Sequence, residues 1–245
     1  MSATPAETSV FTTLRWKNSG DVAWLQDHLS RLHIHANRLG IKWPANMEEL
    51  LKESYVKGEG NLCRIQLNRD GSVELTLRVS EYPNSPLTAS SHPAPRFSDN
   101  IQGTKHAEWE GYNEARRQSE GKGTDIGLLV HEGNVVDGDR CTPILLDIDG
   151  VAYAPTLDGG GVDSITLTLL KPALENAGIP FRYARLTERL LGRASEIIVV
   201  GTGVGVAWLN EIDGQRVGNG SAGPLFNTCM TAFNEALVGA WTQLR

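Results

Sequence analysis

Residues 125–161 read DIGLLVHEGNVVDGDRCTPILLDIDGVAYAPTLDGGG, and their punctuation decides the fold class. DIGLLV and NVVDG flank His131-Glu132-Gly133. PILLDI and VAYAPT flank Asp149-Gly150, a dipeptide suited to a tight hairpin turn. Apolar runs of strand length bounded by such turns read as β-hairpins. The glycine run 159–161 then leads into an apolar stretch that reads as a helix from Val162 to about Ala177, capped by Gly178.

The same alternation extends in both directions. Downstream, EIIVV reads as a continuous apolar strand, and VAWLNEI and QRV flank Asp213-Gly214 as another hairpin. A last amphipathic helix is predicted from about Leu225 to Trp241. Upstream, Ser9 to Arg15 reads as a strand, and Asp21 opens a helix. Trp24, Leu25, Leu29, Leu32, Ala36 and Leu39 give that helix its apolar positions, and Gly40 ends it. A second helix is predicted over Asn46 to Lys57, then a hairpin of CRIQLN and SVELTLRV joined by Arg69-Asp70-Gly71. A further helix is expected from about His106 to Ser119. Helices set between groups of hairpins, without a βαβ repeat, predict an α+β protein with mixed or antiparallel sheets.

Residues 83–100 differ in character. Pro83, Pro86, Pro93 and Pro95 stand among Ser, Asn and Thr, which forbids a helix and argues against a central strand. The stretch reads as an interdomain linker. It divides the chain into a small N-terminal domain, 1–82, and a larger domain, 101–245.

The 245 residues can bury one large core or two small ones. With 23 basic and 29 acidic residues the net charge is -6, which argues against a general nucleic-acid binder but not against a locally held phosphate. No run of about 18 apolar residues predicts a membrane span. The first residues lack the apolar core of a signal peptide. Cys63, Cys141 and Cys229 are far apart, so neither a disulfide framework nor a zinc site is expected, and the reading is of a cytoplasmic protein without a metal.

Several features can carry chemistry. Gly159-Gly160-Gly161 before a helix offers converging backbone N–H groups for an anion, or is a tight loop. Gly201-Thr202-Gly203-Val204-Gly205 follows the strand EIIVV. It fails as a dinucleotide fingerprint, because the third glycine position falls on Val206 and a strand follows instead of a helix. A hydroxyl between glycines still suits a phosphate contact. Lys105 follows a glycine at the start of the second domain, where burial would make it a Schiff-base lysine. Arg31 recurs with His28 and His35 at helical spacing and can clamp a phosphate. Asp137, Asp139, Asp147 and Asp149 do not fit a calcium loop, and no HExxH or GxSxG occurs.

Taken in order, the pieces resemble the class IV (fold-type IV) pyridoxal-phosphate enzymes, which include aminotransferases and aminodeoxychorismate lyases. VFTTLR resembles the family's first strand, with the hairpin before it shortened here. HLSRLHIHANRLGI resembles its Arg-bearing helix and GTKH its lysine segment. DIGLLV-HEGNVVDG resembles the hairpin ending in the acidic cofactor partner, and GVAYAPTLDGGGVDSI the phosphate loop and helix. IIVVGTGVGVAWLNEIDGQRVGNGSAGP resembles the Thr-containing loop and the strands after it. The resemblance covers about residues 9 to 225.

It implies two domains, a smaller N-terminal α/β sandwich-like one and a larger mixed-β one with helices. It also implies a homodimer and pyridoxal 5′-phosphate as cofactor. Lys105 is implied as the Schiff-base lysine, Arg31 as the phosphate clamp, and Gly160, Gly161 and Thr202 as the rest of the phosphate cup. Asp137 is implied as the partner of the pyridine nitrogen. It stands where the family usually has Glu, and Asp139 is the second candidate. The implied reaction is transfer of an amino group between an amino acid and a 2-keto acid. Thr12, Thr13 and His106 look more like aminodeoxychorismate lyases, which would release pyruvate and 4-aminobenzoate. A non-catalytic family member is the third reading.

Overall fold

The computed structural model describes residues 4–81 and 86–244. In chain order the elements are β1 (Ser9–Arg15), β2 (Asp21–Ala23), α1 (Leu25–Arg38), α2 (Met47–Glu53), β3 (Leu62–Asn68), β4 (Val73–Arg78) and β5 (Leu87–Pro93). Then come α3 (Glu110–Gly121), β6 (Ile126–His131), β7 (Asn134–Gly138), β8 (Thr142–Asp147), β9 (Ala152–Pro155) and α4 (Ile165–Asn176). The rest are β10 (Phe181–Ala184), β11 (Leu186–Thr187), α5 (Glu188–Leu191), β12 (Ala194–Gly201), β13 (Gly205–Ile212), β14 (Gln215–Arg216), α6 (Pro224–Val238) and β15 (Trp241–Gln243). The fold is α+β with mixed sheets.

The chain divides into two compact units. The first gathers Met1–Glu81, Phe97–Trp109 and Leu237–Arg245. Its main sheet is antiparallel in the order β1-β3-β4, and β15 pairs with β2. Val10, Thr12 and Leu14 alternate along β1 and are fully buried. On α1, Leu25, Leu29, Leu32 and Ala36 join the same core as Val10 and Leu14, with Ile65 and Leu67 of β3. The predicted stripe of α1 therefore forms, although Asp21 lies in β2 and the helix begins at Leu25.

The second unit comprises Tyr82–Arg96 and Glu110–Ala236. Its sheet runs β10-β9-β8-β12-β13-β5-β6-β7-β11, with β14 beside β13. Strand β5 pairs parallel with β13 and β6, β10 parallel with β9, and the other pairings are antiparallel. β7 and β8 stand far apart in this order yet are joined by the short turn 139–141, so the sheet curls. The Glu132-Gly133 and Asp213-Gly214 turns both place two residues at positive φ. That is the hairpin geometry whose twist matches the flanking strands.

Four elements correct the sequence reading. Strand β5 lies inside 83–100 and has neighbours on both sides, where the proline count argued against a central strand. Pro86 precedes it, Pro93 is its last residue and Pro95 follows, so LTASSH carries no proline to break the ladder. Pro83 lies outside the described residues. α3 begins at Glu110 rather than His106, because His106 instead bridges antiparallel to Val10 on the edge of β1. α4 begins at Ile165 rather than Val162, because Ser164 caps it by accepting the Leu167 N–H. The last helix stops at Val238, and Trp241 pairs with Ala23 in β15.

Candidate active site

In the first unit the lysine segment is fixed by its main chain. The Lys105 carbonyl accepts the Phe11 N–H at 2.9 Å, and the Lys105 N–H donates to His35 Nδ1 at 3.1 Å. Lys105 is thus pinned to β1 on one side and α1 on the other. Its Nζ stands 4.5 Å from the Trp109 ring centre and 5.2 Å from that of Phe11, two rings that meet edge to face. Such rings attract a cation through their negative faces.

His28, Arg31 and His35 fall on one side of α1 because positions i, i+3 and i+7 share a helix face. Arg31 Nη2 donates to Thr12 Oγ1 at 3.1 Å, and the same hydroxyl lies 2.7 Å from His28 Nδ1. Burial pushes protonation of His28 well below the ordinary imidazole range, and the charges of Arg31 and Lys105 add to that effect. The same three causes, with Arg38 and His106 adding to them, bring His35 down to about 3. Burial and then Lys105 bring His106 down to about 4. At neutral pH these imidazoles are uncharged, so the positive charge of the cluster rests on Lys105 and Arg31.

The second unit holds the other candidates. Asp137 ends β7 and is buried. Its Oδ2 accepts the Val162 N–H at 2.9 Å, and its Oδ1 accepts the Gly138 N–H at 3.0 Å and the Thr142 hydroxyl at 3.4 Å. Gly161 presses on β7 so closely that a Cβ would stand 2.4 Å from the Val136 carbonyl oxygen. Asp137, Thr142, Gly161, Val162 and Ser164 line a cleft there. Thr202 lies in the turn between β12 and β13. Gly201, beside it, packs on the turn 140–141, and Val200 pairs with Thr142. Asp137, Gly161 and the Thr202 turn are therefore brought to one end of the curled sheet.

Two assignments look different once the geometry is known. The Gly160 N–H is bonded to the Leu157 carbonyl at 3.0 Å, within its own turn. With α4 starting at Ile165 and Ser164 capping Leu167, the helix-start donors are the N–H groups of Ile165 and Thr166. Sequence reasoning missed both, although Asp163-Ser164 before the apolar run was a legible cap signal. Asp139, the second candidate for the ring nitrogen, faces β6. It pairs with Arg140 at 2.7 Å and accepts the Gly127 N–H at 3.3 Å, and burial pushes its carboxyl up against the pull of Arg140.

Among the described residues no group of three or more His, Cys, Asp or Glu is arranged to hold a metal ion, and no helix is long and apolar enough to cross a membrane.

Residues 9–212 match the family described as class IV amino-transferase. A D-alanine aminotransferase of Staphylococcus haemolyticus is 30% identical over 107 residues, which are 44% of this chain and 38% of that enzyme. That match therefore spans well under half of the relative's length. Among solved structures, the branched-chain aminotransferase of Thermoproteus uzoniensis with norvaline superposes with a TM-score of 0.80 at 20% identity, over 98% of this chain and 91% of that one. A Legionella pneumophila protein described as a 4-amino-4-deoxychorismate lyase gives 0.79 at 16%, over 94% and 91%. At such identities the structural likeness speaks for the fold alone.

Proposed function

The chain belongs to the class IV amino-transferase family, and on that footing we propose that it is an aminotransferase moving an amino group between an amino acid and a 2-keto acid. The cofactor of this family is pyridoxal 5′-phosphate. Its substrates are small amino and keto acids. The observation that carries the reading is the cluster around Lys105: a lysine whose main chain is held from both sides, its charge and that of Arg31 both acting on the uncharged imidazoles of His28 and His35.

The residues present suit the cofactor. A phosphate dianion needs fixed donors; Arg31 in the first unit is one of that kind, and so are the Ile165 and Thr166 N–H groups and Thr202 in the second, and each would serve. Gly161, with no room for a Cβ, keeps the chain ahead of α4 pressed on β7. Asp137 is the anion suited to a pyridine nitrogen. Its oxygens take two backbone N–H groups and the Thr142 hydroxyl, which fix its direction. Asp139 is committed to Arg140.

Bound pyridoxal phosphate supplies an electron sink for the pair left at the substrate Cα when its proton departs. The chain's own part is proton handling and placement. The Lys105 amine would take the Cα proton and return it two atoms along, to the cofactor carbon across the shared nitrogen, acting as general base and then general acid. Phe11 and Trp109 would hold that amine between transfers. The neutral imidazoles of His28, His35 and His106 would leave the local positive charge to Lys105 and Arg31.

The lyase reading leaned on Thr12, Thr13 and His106. Thr12 and His106 are 0% exposed, so two of the three are out of a substrate's direct reach, while Thr13 is half-buried. The Staphylococcus relative makes D-alanine the first amino acid to try. A cytoplasmic homodimer is the setting this reading implies.

The test is the visible spectrum of the protein with cofactor, followed through panels of D- and L-amino acids. Conversion to the pyridoxamine form with an amino acid supports transamination. No conversion, with pyruvate released from aminodeoxychorismate, would establish the lyase. A protein that takes up no cofactor would be a non-catalytic member.

A further inference from the structure

The face of β1 that packs on α1 carries Val10, Thr12 and Leu14, all fully buried. Thr12 is the polar exception in this row. Valine has nearly the same shape and would fill the position without a hydroxyl to satisfy. A buried hydroxyl is retained at no cost only where its bonds are made.

Both of its bonds go to α1. Arg31 Nη2 donates to Thr12 Oγ1 at 3.1 Å. A guanidinium can only donate, so the hydroxyl accepts there and keeps its own hydrogen for another partner. His28 Nδ1, at 2.7 Å, is the acceptor in reach. The arrangement runs one way: Arg31 to Thr12, Thr12 to His28. It requires a neutral His28 with its proton on Nε2, a buried atom that has no hydrogen-bond partner of its own among the described residues. Burial and the nearby charges of Arg31 and Lys105 keep that imidazole neutral at physiological pH. His28 is itself 0% exposed, so both members of the pair are locked in the core.

We propose that Thr12 is a positioning residue for the phosphate clamp: its hydroxyl, with its hydrogen committed to His28, sets the direction in which Arg31 presents its guanidinium. The proposal rests on the reading of Arg31 as the group that holds the cofactor phosphate. Thr12 touches neither cofactor nor substrate in this scheme.

The experiment compares the affinity of the purified protein for pyridoxal phosphate and for pyridoxal, which lacks the phosphate. It uses the unmodified chain, Thr12→Val, Thr12→Ser, Arg31→Ala and the Thr12→Val/Arg31→Ala double variant. The account expects Thr12→Val to weaken pyridoxal phosphate binding about tenfold, the effect of one lost hydrogen bond near a charge. Pyridoxal affinity stays unchanged, Thr12→Ser restores the phosphate preference, and Thr12→Val adds nothing once Arg31 is gone. His28→Leu gives the same selective loss, and serves if Thr12→Val does not fold.

Equal weakening of both ligands, or a full Thr12→Val effect without Arg31, would overturn the proposal by making Thr12 structural only. Unchanged pyridoxal phosphate affinity in both Thr12→Val and His28→Leu would do the same. If Arg31→Ala leaves the preference for the phosphate form intact, the clamp reading itself fails, and that arm separates the two failures.

Discussion

In the first unit the buried polar cluster on α1 is joined side chain to side chain, Arg31 on Thr12 and Thr12 on His28, while His35 takes the main-chain N–H of Lys105. In the second unit the buried carboxylates of Asp137 and Glu196 are satisfied largely by backbone, while Asp139 pairs with the Arg140 side chain. Asp137 takes the N–H groups of Gly138 and Val162, and Glu196 takes those of Gly223, Leu225 and Phe226 at 2.8–2.9 Å, capping the start of α6 from β12. A site built from side chains is changed by altering side chains. A site built from backbone is changed by whatever moves the chain, including a single added carbon. The two units should therefore fail in different ways.

The sharpest way to break this contrast is Gly161→Ala. Its Cβ would meet the Val136 carbonyl oxygen at 2.4 Å, and neither partner is the end of a flexible side chain. A loss of about 3 kcal/mol in unfolding free energy is expected, within the large effects that overpacking causes. Urea unfolding followed by fluorescence measures it, and a change under about 0.5 kcal/mol, the level of a neutral surface substitution, would mean the loop is not pressed on β7 as described.

Next comes Glu196→Ala, which strips three N–H groups of their acceptor. About 2 kcal/mol is expected, since orphaned buried donors pay desolvation. Glu196→Gln should cost less because one amide oxygen still accepts. Equal effects for the two variants would contradict a cap built on hydrogen bonds.

The smallest effect, taken per histidine and per pH unit, is a pH dependence carried by the buried histidines of the first unit. His35 and His106 protonate near about 3 and about 4 in the folded chain, both below the ordinary imidazole value of 6.5. Between those values the unfolded chain binds protons that the folded chain refuses. Stability is therefore full above about pH 6.5 and falls as the pH drops, by up to about 1.4 kcal/mol per pH unit for each buried histidine. Urea midpoints at pH 7 and pH 5 test the sign, and His106→Phe should flatten part of the slope. A stability that rises on acidification would mean these imidazoles are charged in the fold.

The first unit was the more legible in sequence. His28, Arg31 and His35 share a helix face by spacing alone, and Lys105 follows a glycine in a short, distinctive segment. The three hairpins of the second unit were also plain from their Gly turns. Its binding loop was not. Gly160 and Gly161 signal a loop, but whether an N–H points at a ligand or at its own turn depends on backbone angles that residue type does not specify. Gly160 spends its N–H on Leu157, and Gly161 is small because Val136 is close. Strand β5 was hidden for a related reason: proline counts do not say on which side of a strand the prolines fall.

The central claim is that Lys105 is the amine that holds pyridoxal phosphate. It is tested most directly by incubating the purified protein with the cofactor, reducing with borohydride, and mapping the labelled peptide. The account predicts one label per chain, on Lys105, and none in Lys105→Ala. A label on another lysine, or no label at saturating cofactor, would contradict it.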